Sequence, residues 1–304
     1  MRVLITGGSG LIGRALAADL AHGGSEVIIL SRRPDRVAGL PAGVDVRHWD
    51  GSTPQGWGPL ADGADAIVNL AGENIGSKRW TRERKRLILD SRLNAGRAVV
   101  AAVRASSRKP GVVVQASGVG YYGPGGDAEL AEDSPPGHDF LATIAVDWEA
   151  STAGIEGVGV RRVIIRTGVV LSAQGGALSR MLLPFRLFVG GRLGSGQQWL
   201  PWVHIADEVA AIRFLIENEA AKGPFNLTAP APVTNADFSR ALGRQLRRPS
   251  LVPMPGLALR GLFGEMATVI LDGQRTTPKR LSEAGFQFKF NKLDGALSDL
   301  FDRR

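Results

Sequence analysis

The sequence predicts an α/β protein: a doubly wound parallel sheet of the Rossmann type with a smaller, discontinuous C-terminal lobe. Three observations predict it. Short apolar runs alternate with helical patterns through the first 170 residues, a glycine-rich turn joins the first run to the first helical pattern, and the rhythm breaks after Thr167.

The apolar runs lie at 2–6, 26–30, 44–49, 66–70, 111–116 and 163–167. They are rich in Val and Ile and do not alternate with polar residues, which suits parallel strands covered on both faces. Helical spacing appears at 11–22, 81–104 and 142–153, and in the second of these Leu87, Leu93, Val99, Val100 and Val103 form the expected buried stripe. Residues 168–200 are rich in glycine and carry arginines, with no regular period. A helix at 206–218 and a strand at 225–228 resume the earlier pattern. Prolines then cluster, and a last helix opens with Thr234 as cap, Asp237 three residues later, and Phe238, Leu242 and Leu246 repeating every four. The expected division is 1–168 plus 204–228 for dinucleotide binding, and 169–203 plus 229–304 for a substrate or partner lobe.

Composition excludes several classes. With 304 residues, 44% hydrophobic and 22% charged, the chain is a folded globule, and its 40 glycines exceed the roughly 7% average. Cysteine is absent, which removes disulfides, thiolate zinc sites and thiol nucleophiles. The first strand starts beside Met1, and no apolar run approaches the roughly 18 residues of a membrane helix. A cytoplasmic location without a membrane partner is expected. The net charge of +8, from 37 basic and 29 acidic residues, admits nucleic acid, an anionic membrane surface or anionic small ligands. The densest basic run, 78–86, reads as the solvated first turns of a helix, and no nucleic-acid-binding motif accompanies it. Arg180, Arg186 and Arg192, with Gln197, Gln198 and Trp199 nearby, suit either an anionic ligand or an ordinary solvated surface. No His/Asp/Glu cluster has metal-ligand spacing, so no metal is expected.

The sharpest motif is TGGSGLIG at 6–13, between a strand and a helix. Gly7 permits the tight turn, Gly10 lets a pyrophosphate approach the backbone, and Gly13 lets the helix pack on the sheet. The helix start offers unpaired N–H groups to the phosphates, which makes Gly7, Ser9, Gly10, Leu11, Ile12 and Gly13 the expected cradle. The second strand ends in Ser31, Arg32 and Arg33 rather than a carboxylate. A hydroxyl and guanidinium groups suit a ribose 2′-phosphate, so the cofactor read from these residues is NADP(H). Asp35, beyond Pro34, is expected to cap a helix.

The GxxGxxG spacing resembles the short-chain dehydrogenase/reductase superfamily, and the TGGSGLIG form its extended, epimerase-like branch, the NAD-dependent epimerases and dehydratases. AGENI at 71–75, RW at 79–80, SR at 91–92, GYYG at 120–123, DWE at 147–149 and the long stretch 182–205 together resemble the atypical SDR39U1-like or YfcH-like epimerase subfamily. That resemblance covers nearly the whole chain. It implies a cofactor path past Leu70, Ala71 and Gly72 and past Ala116 at the end of the fifth strand, with Asp50 near the adenine. It further implies Arg92 at the phosphates or ribose, and Gly168 and Val170 on the nicotinamide side.

Active members of that superfamily use a Tyr with a Lys four residues later, one helical turn apart so that the cation lowers the phenol's pKa, plus a Ser or Thr that orients the substrate. Here the only tyrosines are Tyr121 and Tyr122, and four residues beyond them stand Gly125 and Gly126. The helical stretch 140–149 has neither Tyr nor Lys. Ser117 matches the orienting serine, and Tyr121 or Tyr122 are the candidate donors, a ring that packs on the cofactor being the blander reading of either. His204 and Asp207 read as hinge residues that cap or hydrogen-bond, and Trp148 as core. Three functions stay open: an NADP(H)-dependent, epimerase-like oxidoreductase acting on a small molecule without the Tyr/Lys pair, a non-catalytic NADP(H)-dependent sensor or regulator, and a nucleic-acid-binding protein, which rests on net charge alone. Nothing in the sequence selects a substrate or an oligomeric state.

Overall fold

The computed structural model describes residues 1–302. In chain order the strands are β1 (Arg2–Thr6), β2 (Glu26–Ser31), β3 (Val44–His48), β4 (Ala66–Asn69), β5 (Val112–Gly118), β6 (Glu129–Leu130), β7 (Arg161–Thr167), β8 (Val169–Leu171), β9 (Trp199–Leu200), β10 (Trp202–His204), β11 (Gly223–Leu227), β12 (Val233–Thr234) and β13 (Arg275–Thr276). The helices are α1 (Leu11–His22), α2 (Arg82–Ala105), α3 (Phe140–Ala150), α4 (Ala177–Arg186), α5 (Ile205–Glu217), α6 (Asn235–Leu246), α7 (Gly256–Phe263), α8 (Thr268–Leu271), α9 (Lys279–Glu283) and α10 (Leu293–Asp302).

Seven strands form one sheet in the order β11-β7-β5-β4-β1-β2-β3. Every pairing in it is parallel. The chain winds outward from β1 to β3, then returns to β4 and winds the other way. The turns after β1 and β4 therefore flank a crevice at the carboxyl edge, where open α/β sheets bind ligands. Val3, Ile5, Val27 and Ile29 point into one apolar layer with Leu16 and Leu20 of α1 and Ile212 and Leu215 of α5. Leu4, Ile28 and Ile67 point into the other, with Ala95, Val99 and Val103 of α2. This is the two-sided burial that continuous Val/Ile runs demand.

Two details differ from the sequence reading. Leu87 is half exposed, whereas Ile88 and Arg92 are buried, so the inward stripe of α2 begins one residue later and includes a cation. Helix α3 starts earlier than residue 142, because the Asp139 carboxylate accepts the N–H of Ala142 at 2.8 Å and caps the first turn. Residues 168–200 are also less irregular than their glycines suggest. Strand β8 pairs with β10, and Leu178, Leu182 and Phe185 of α4 join Phe238, Leu242, Leu293 and Leu297 in a third apolar cluster. Thr234 caps α6, its hydroxyl accepting the N–H of Asp237.

Candidate functional site

The turn after β1 is held from below. Gly7 has a φ of +67°, and a Cβ there would lie 2.7 Å from the Leu70 carbonyl. Glycine is needed for the conformation and for the close approach of the 69–72 turn alike. Gly8, which the motif reading passed over, would press a Cβ into Ile29 at 2.6 Å. At Gly13 the obstacle is not the sheet, as expected, but the turn itself: a Cβ would meet Gly8 Cα at 2.5 Å. Gly10 is different. Its nearest neighbour would be the Gly7 carbonyl at 3.2 Å, and its backbone is extended. Packing within the protein forbids a side chain at Gly7, Gly8 and Gly13, whereas at Gly10 it crowds one less severely. No side chain caps α1, so the first N–H groups of the helix, from Leu11 to Gly13, face that same space.

A buried polar row stiffens the carboxyl edge between the two turns. Thr6 Oγ1 donates to Asn69 Oδ1 at 2.6 Å, Asn69 Nδ2 donates to Gln115 Oε1 at 2.8 Å, and Gln115 donates to the Ala116 carbonyl at 2.6 Å. Ala71 N–H in turn donates to Thr6 Oγ1.

At one end of the crevice, Ser31 is buried and its hydroxyl accepts the N–H of Arg33. Arg32 and Arg33 are exposed, and neither has an ion-pair partner among the described residues. Asp35 caps nothing; it lies inside a short 3-10 turn, Pro34–Arg36, that no side chain caps. Asp50 closes its own loop. Against the burial that raises its pKa, the Thr53 hydroxyl and the N–H groups of Ser52 and Thr53 hold the carboxyl down at about 2.

Arg92 lies beneath the 69–72 turn, its guanidinium carbon 3.1 Å from where a Cβ on Gly72 would be. It is buried, stands 4.7 Å over the Trp148 ring, and donates to the carbonyls of Glu73 and Ile88. Burial pulls its pKa down to about 10, only partly offset by the charge of Glu73. A desolvated cation beside a phosphate-shaped cradle is chemically matched to an anion. The neighbouring Arg84, in the run expected to be solvated, turns inward and bonds Glu73, the Asn74 carbonyl and Ser77.

At the other end, Ala116 and Ser117 finish β5. The Ser117 hydroxyl donates to Glu149 Oε1 at 2.7 Å, and Arg166 grips both oxygens of that carboxylate at 2.9 and 3.0 Å. Arg166 also donates to Tyr122 Oη, which itself donates to Asn226 Oδ1 at 2.7 Å. Burial pushes the Tyr122 phenol up to about 12, though the Arg166 charge pulls the other way. Tyr121 is half-buried, its ring stacked 3.4 Å from the Arg166 guanidinium carbon. The network continues to the C-terminal segment, where Asn226 Nδ2 donates to the Thr277 carbonyl and Glu132 accepts from the N–H groups of Asn226 and Arg280. The sequence reading found Ser117 and the two tyrosines but missed Arg166, Glu149, Glu132 and Asn226. The one faint signal was a charge at the end of the apolar run 163–165 and another near the end of a mostly apolar helix, either of which needs a partner only if it is buried.

Gly168 leaves β7 so close to Pro201 that a Cβ would lie 2.3 Å from its carbonyl oxygen, and Val170 follows, half-buried, in β8. His204 and Asp207 face away from this chemistry. His204 Nδ1 accepts the N–H of Ala206 at the head of α5, and Asp207 accepts the N–H groups of Lys289 and Phe290. Among the described residues, no group of three His, Cys, Asp or Glu side chains could hold a metal, and no helix is long and apolar enough to cross a membrane.

Comparison with known proteins agrees with this arrangement. The model of the NAD dependent epimerase/dehydratase family matches residues 3–228, and that of a domain of unknown function, DUF1731, matches 254–300. Epimerase family protein SDR39U1 of Bos taurus is 41% identical over 305 residues, covering 99% of each chain. Epimerase family protein SAR0825 of Staphylococcus aureus is 39% identical over 304 residues, again covering 99% of each. The crystal structure of human epimerase family protein SDR39U1 with NADPH superimposes with a TM-score of 0.89 at 36% identity over the full length of both chains. The chain belongs to the NAD dependent epimerase/dehydratase family.

Proposed function

We propose that this protein binds NADP(H) and acts as an epimerase-like oxidoreductase on a small molecule, without the Tyr/Lys pair. Gly10 carries the reading: it is the glycine of the cradle least crowded by the protein, and it stands beside helix N–H groups that no side chain caps. The residues fit the group. Leu11, Ile12 and Gly13 offer N–H groups to the pyrophosphate, Arg92 supplies a desolvated cation, and Ser31, Arg32 and Arg33 form a cationic corner for the 2′-phosphate. The human relative solved with NADPH supports the same choice. Residues 1–168 with 204–228 hold the cofactor, and 169–203 with 229–304 form the substrate lobe.

NADPH supplies a hydride when bound, and the protein must then deliver or take a proton. Ser117 is engaged with Glu149, and Tyr122 is a buried, weakly acidic phenol committed to Asn226. Of the three candidates Tyr121 has the uncommitted hydroxyl among the described residues, and the Arg166 cation is stacked on its ring. The second reading, a non-catalytic NADP(H) sensor, is favoured by the same engagement of Ser117 and Tyr122.

The cofactor assignment is tested by thermal melting with NADPH and NADH. NADPH should stabilise far more than NADH, and Arg32→Ala should weaken NADPH binding about tenfold or more, since a charge-assisted hydrogen bond contributes roughly 1.5–3 kcal/mol. Gly10→Val should keep its fold, with at most a modest fall in melting temperature, yet show no NADPH stabilisation. Equal effects of the two dinucleotides would refute the assignment. Once a carbonyl compound that oxidises bound NADPH is in hand, Tyr121→Phe should lower turnover by roughly 10²–10⁴-fold, while Tyr122→Phe should chiefly cost stability. Unchanged turnover in the Tyr121 variant transfers the donor role to water, and the absence of any oxidant across a carbonyl panel favours the sensor.

A further inference from the structure

The chain's charge is segregated. Residues 173–206 and 238–264 hold eight arginines and no lysine, aspartate or glutamate, while the remainder balances, 29 basic against 29 acidic. The whole net charge of +8 therefore lies in two stretches, and the fold brings them together. Val252 N–H donates to the Gly190 carbonyl at 3.1 Å, and Met254 N–H to the Arg192 carbonyl at 2.9 Å.

On this joined surface Leu183, Leu187, Phe188, Val189, Leu251 and Leu257 are all more than half exposed. Leu251 and Leu257 reach 82% and 83%. They protrude. Phe188 is held at a φ of +61°, a left-handed conformation that is costly for an aromatic residue, and this turn presents three successive apolar side chains to solvent. The guanidinium of Arg248 lies 4.3 Å over the Phe188 ring. Arg186, Arg192, Arg247 and Arg248 have no ion-pair partner among the described residues, whereas Arg240 and Arg244 are paired with Asp237 and Asp294. Beside Leu251 opens a cavity of about 270 Å³ lined by Arg192, Arg240, Ser239 and Ser250. The Ser250 hydroxyl is buried there without a hydrogen-bond partner.

We propose that this face docks on a membrane surface rich in anionic phospholipid. Apolar side chains on loop tips enter the headgroup and acyl boundary, unpaired arginines meet the negative surface, and the small arginine- and serine-lined cavity receives a headgroup phosphate. A second copy of the chain fits poorly, since a twofold contact would set the arginine rim against itself. The absence of a spanning helix, which led to the expectation of no membrane partner, has no bearing on peripheral contact.

The test is flotation of the full-length protein with vesicles of phosphatidylcholine alone and of phosphatidylcholine mixed with phosphatidylglycerol. Binding is expected only to the mixed vesicles and should weaken as salt is raised. Arg247→Glu and Arg248→Glu should each weaken it about fivefold or more. Leu251→Asp with Leu257→Asp should abolish it, with melting temperature and NADPH stabilisation unchanged because these side chains touch little of the protein. Equal flotation with neutral vesicles, or indifference to the variants, overturns the proposal. So does failure to float with anionic vesicles, which would leave an acidic protein segment as the occupant. A dimer in solution that the leucine variants dissociate likewise overturns it, in favour of self-association.

Discussion

Arg166→Met should destabilise the folded protein by about 3–5 kcal/mol, the usual cost of stranding one member of a buried ion pair. The side chain is 3% exposed, and it binds both oxygens of Glu149. Burial alone would lower the arginine's pKa; the bonds and charge of Glu149 more than offset this and hold it above its ordinary value. Removing the guanidinium leaves the Glu149 carboxylate with the Ser117 hydroxyl and little else, and it also takes a donor from Tyr122. The double variant Arg166→Met with Glu149→Leu should recover much of the loss, because the ion pair is then removed whole and neither partner is left stranded. Urea unfolding midpoints of the parent and the two variants decide the matter. A single variant within 1 kcal/mol of the parent would mean that water reaches this pair.

Glu208→Gln should change how stability depends on pH. Glu208 is wholly buried in α5, receives one hydrogen bond from Thr167 Oγ1 at 2.8 Å, and leaves its second oxygen unpartnered. Burial pushes its carboxyl up from 4.5 to about 8, although the Thr167 hydroxyl pulls it down. The folded protein therefore keeps a proton that the unfolded chain gives up. Between about pH 4.5 and about pH 8 this group should erode stability by roughly 1.4 kcal/mol for each unit of rising pH. Glutamine keeps the acceptor for Thr167 and cannot ionise, so the variant should lose that slope. The two proteins should come closest near pH 5, with the variant gaining on its parent towards pH 8. Parallel stability curves from pH 5 to pH 9 would refute a protonated Glu208.

The same contrast between local and distant determinants explains what could be read in the sequence. The 6–13 turn was legible because glycine spacing encodes a backbone path within eight residues, and the Val/Ile runs were legible because two-sided burial removes alternation. The Thr234 cap was legible for a similar reason, since its partner lies three residues away. Arg166, Glu149, Glu132 and Asn226 were not, because their meaning depends on four elements meeting behind β5, and each alone resembles an ordinary surface charge or amide. Leu87 misled in the opposite direction: an apolar residue near a buried stripe faces solvent, while Arg92 takes the inward place one turn further on. Residues 168–200 were hidden by short strands whose partners, such as β12 for β9, lie far along the chain.

The cradle and the corner at Ser31–Arg33 differ in how freely evolution can alter them. Gly7, Gly8 and Gly13 are locked against Leu70, Ile29 and one another, so nearly any substitution there strains the backbone. Arg32 and Arg33 stand on open surface with no charged partner to abandon. On the proposed reading, in which 32 and 33 set the choice of dinucleotide, one or two substitutions there would exchange one for the other at almost no cost in folding. On that reading the choice of cofactor pool can drift while the glycine turn stays the same.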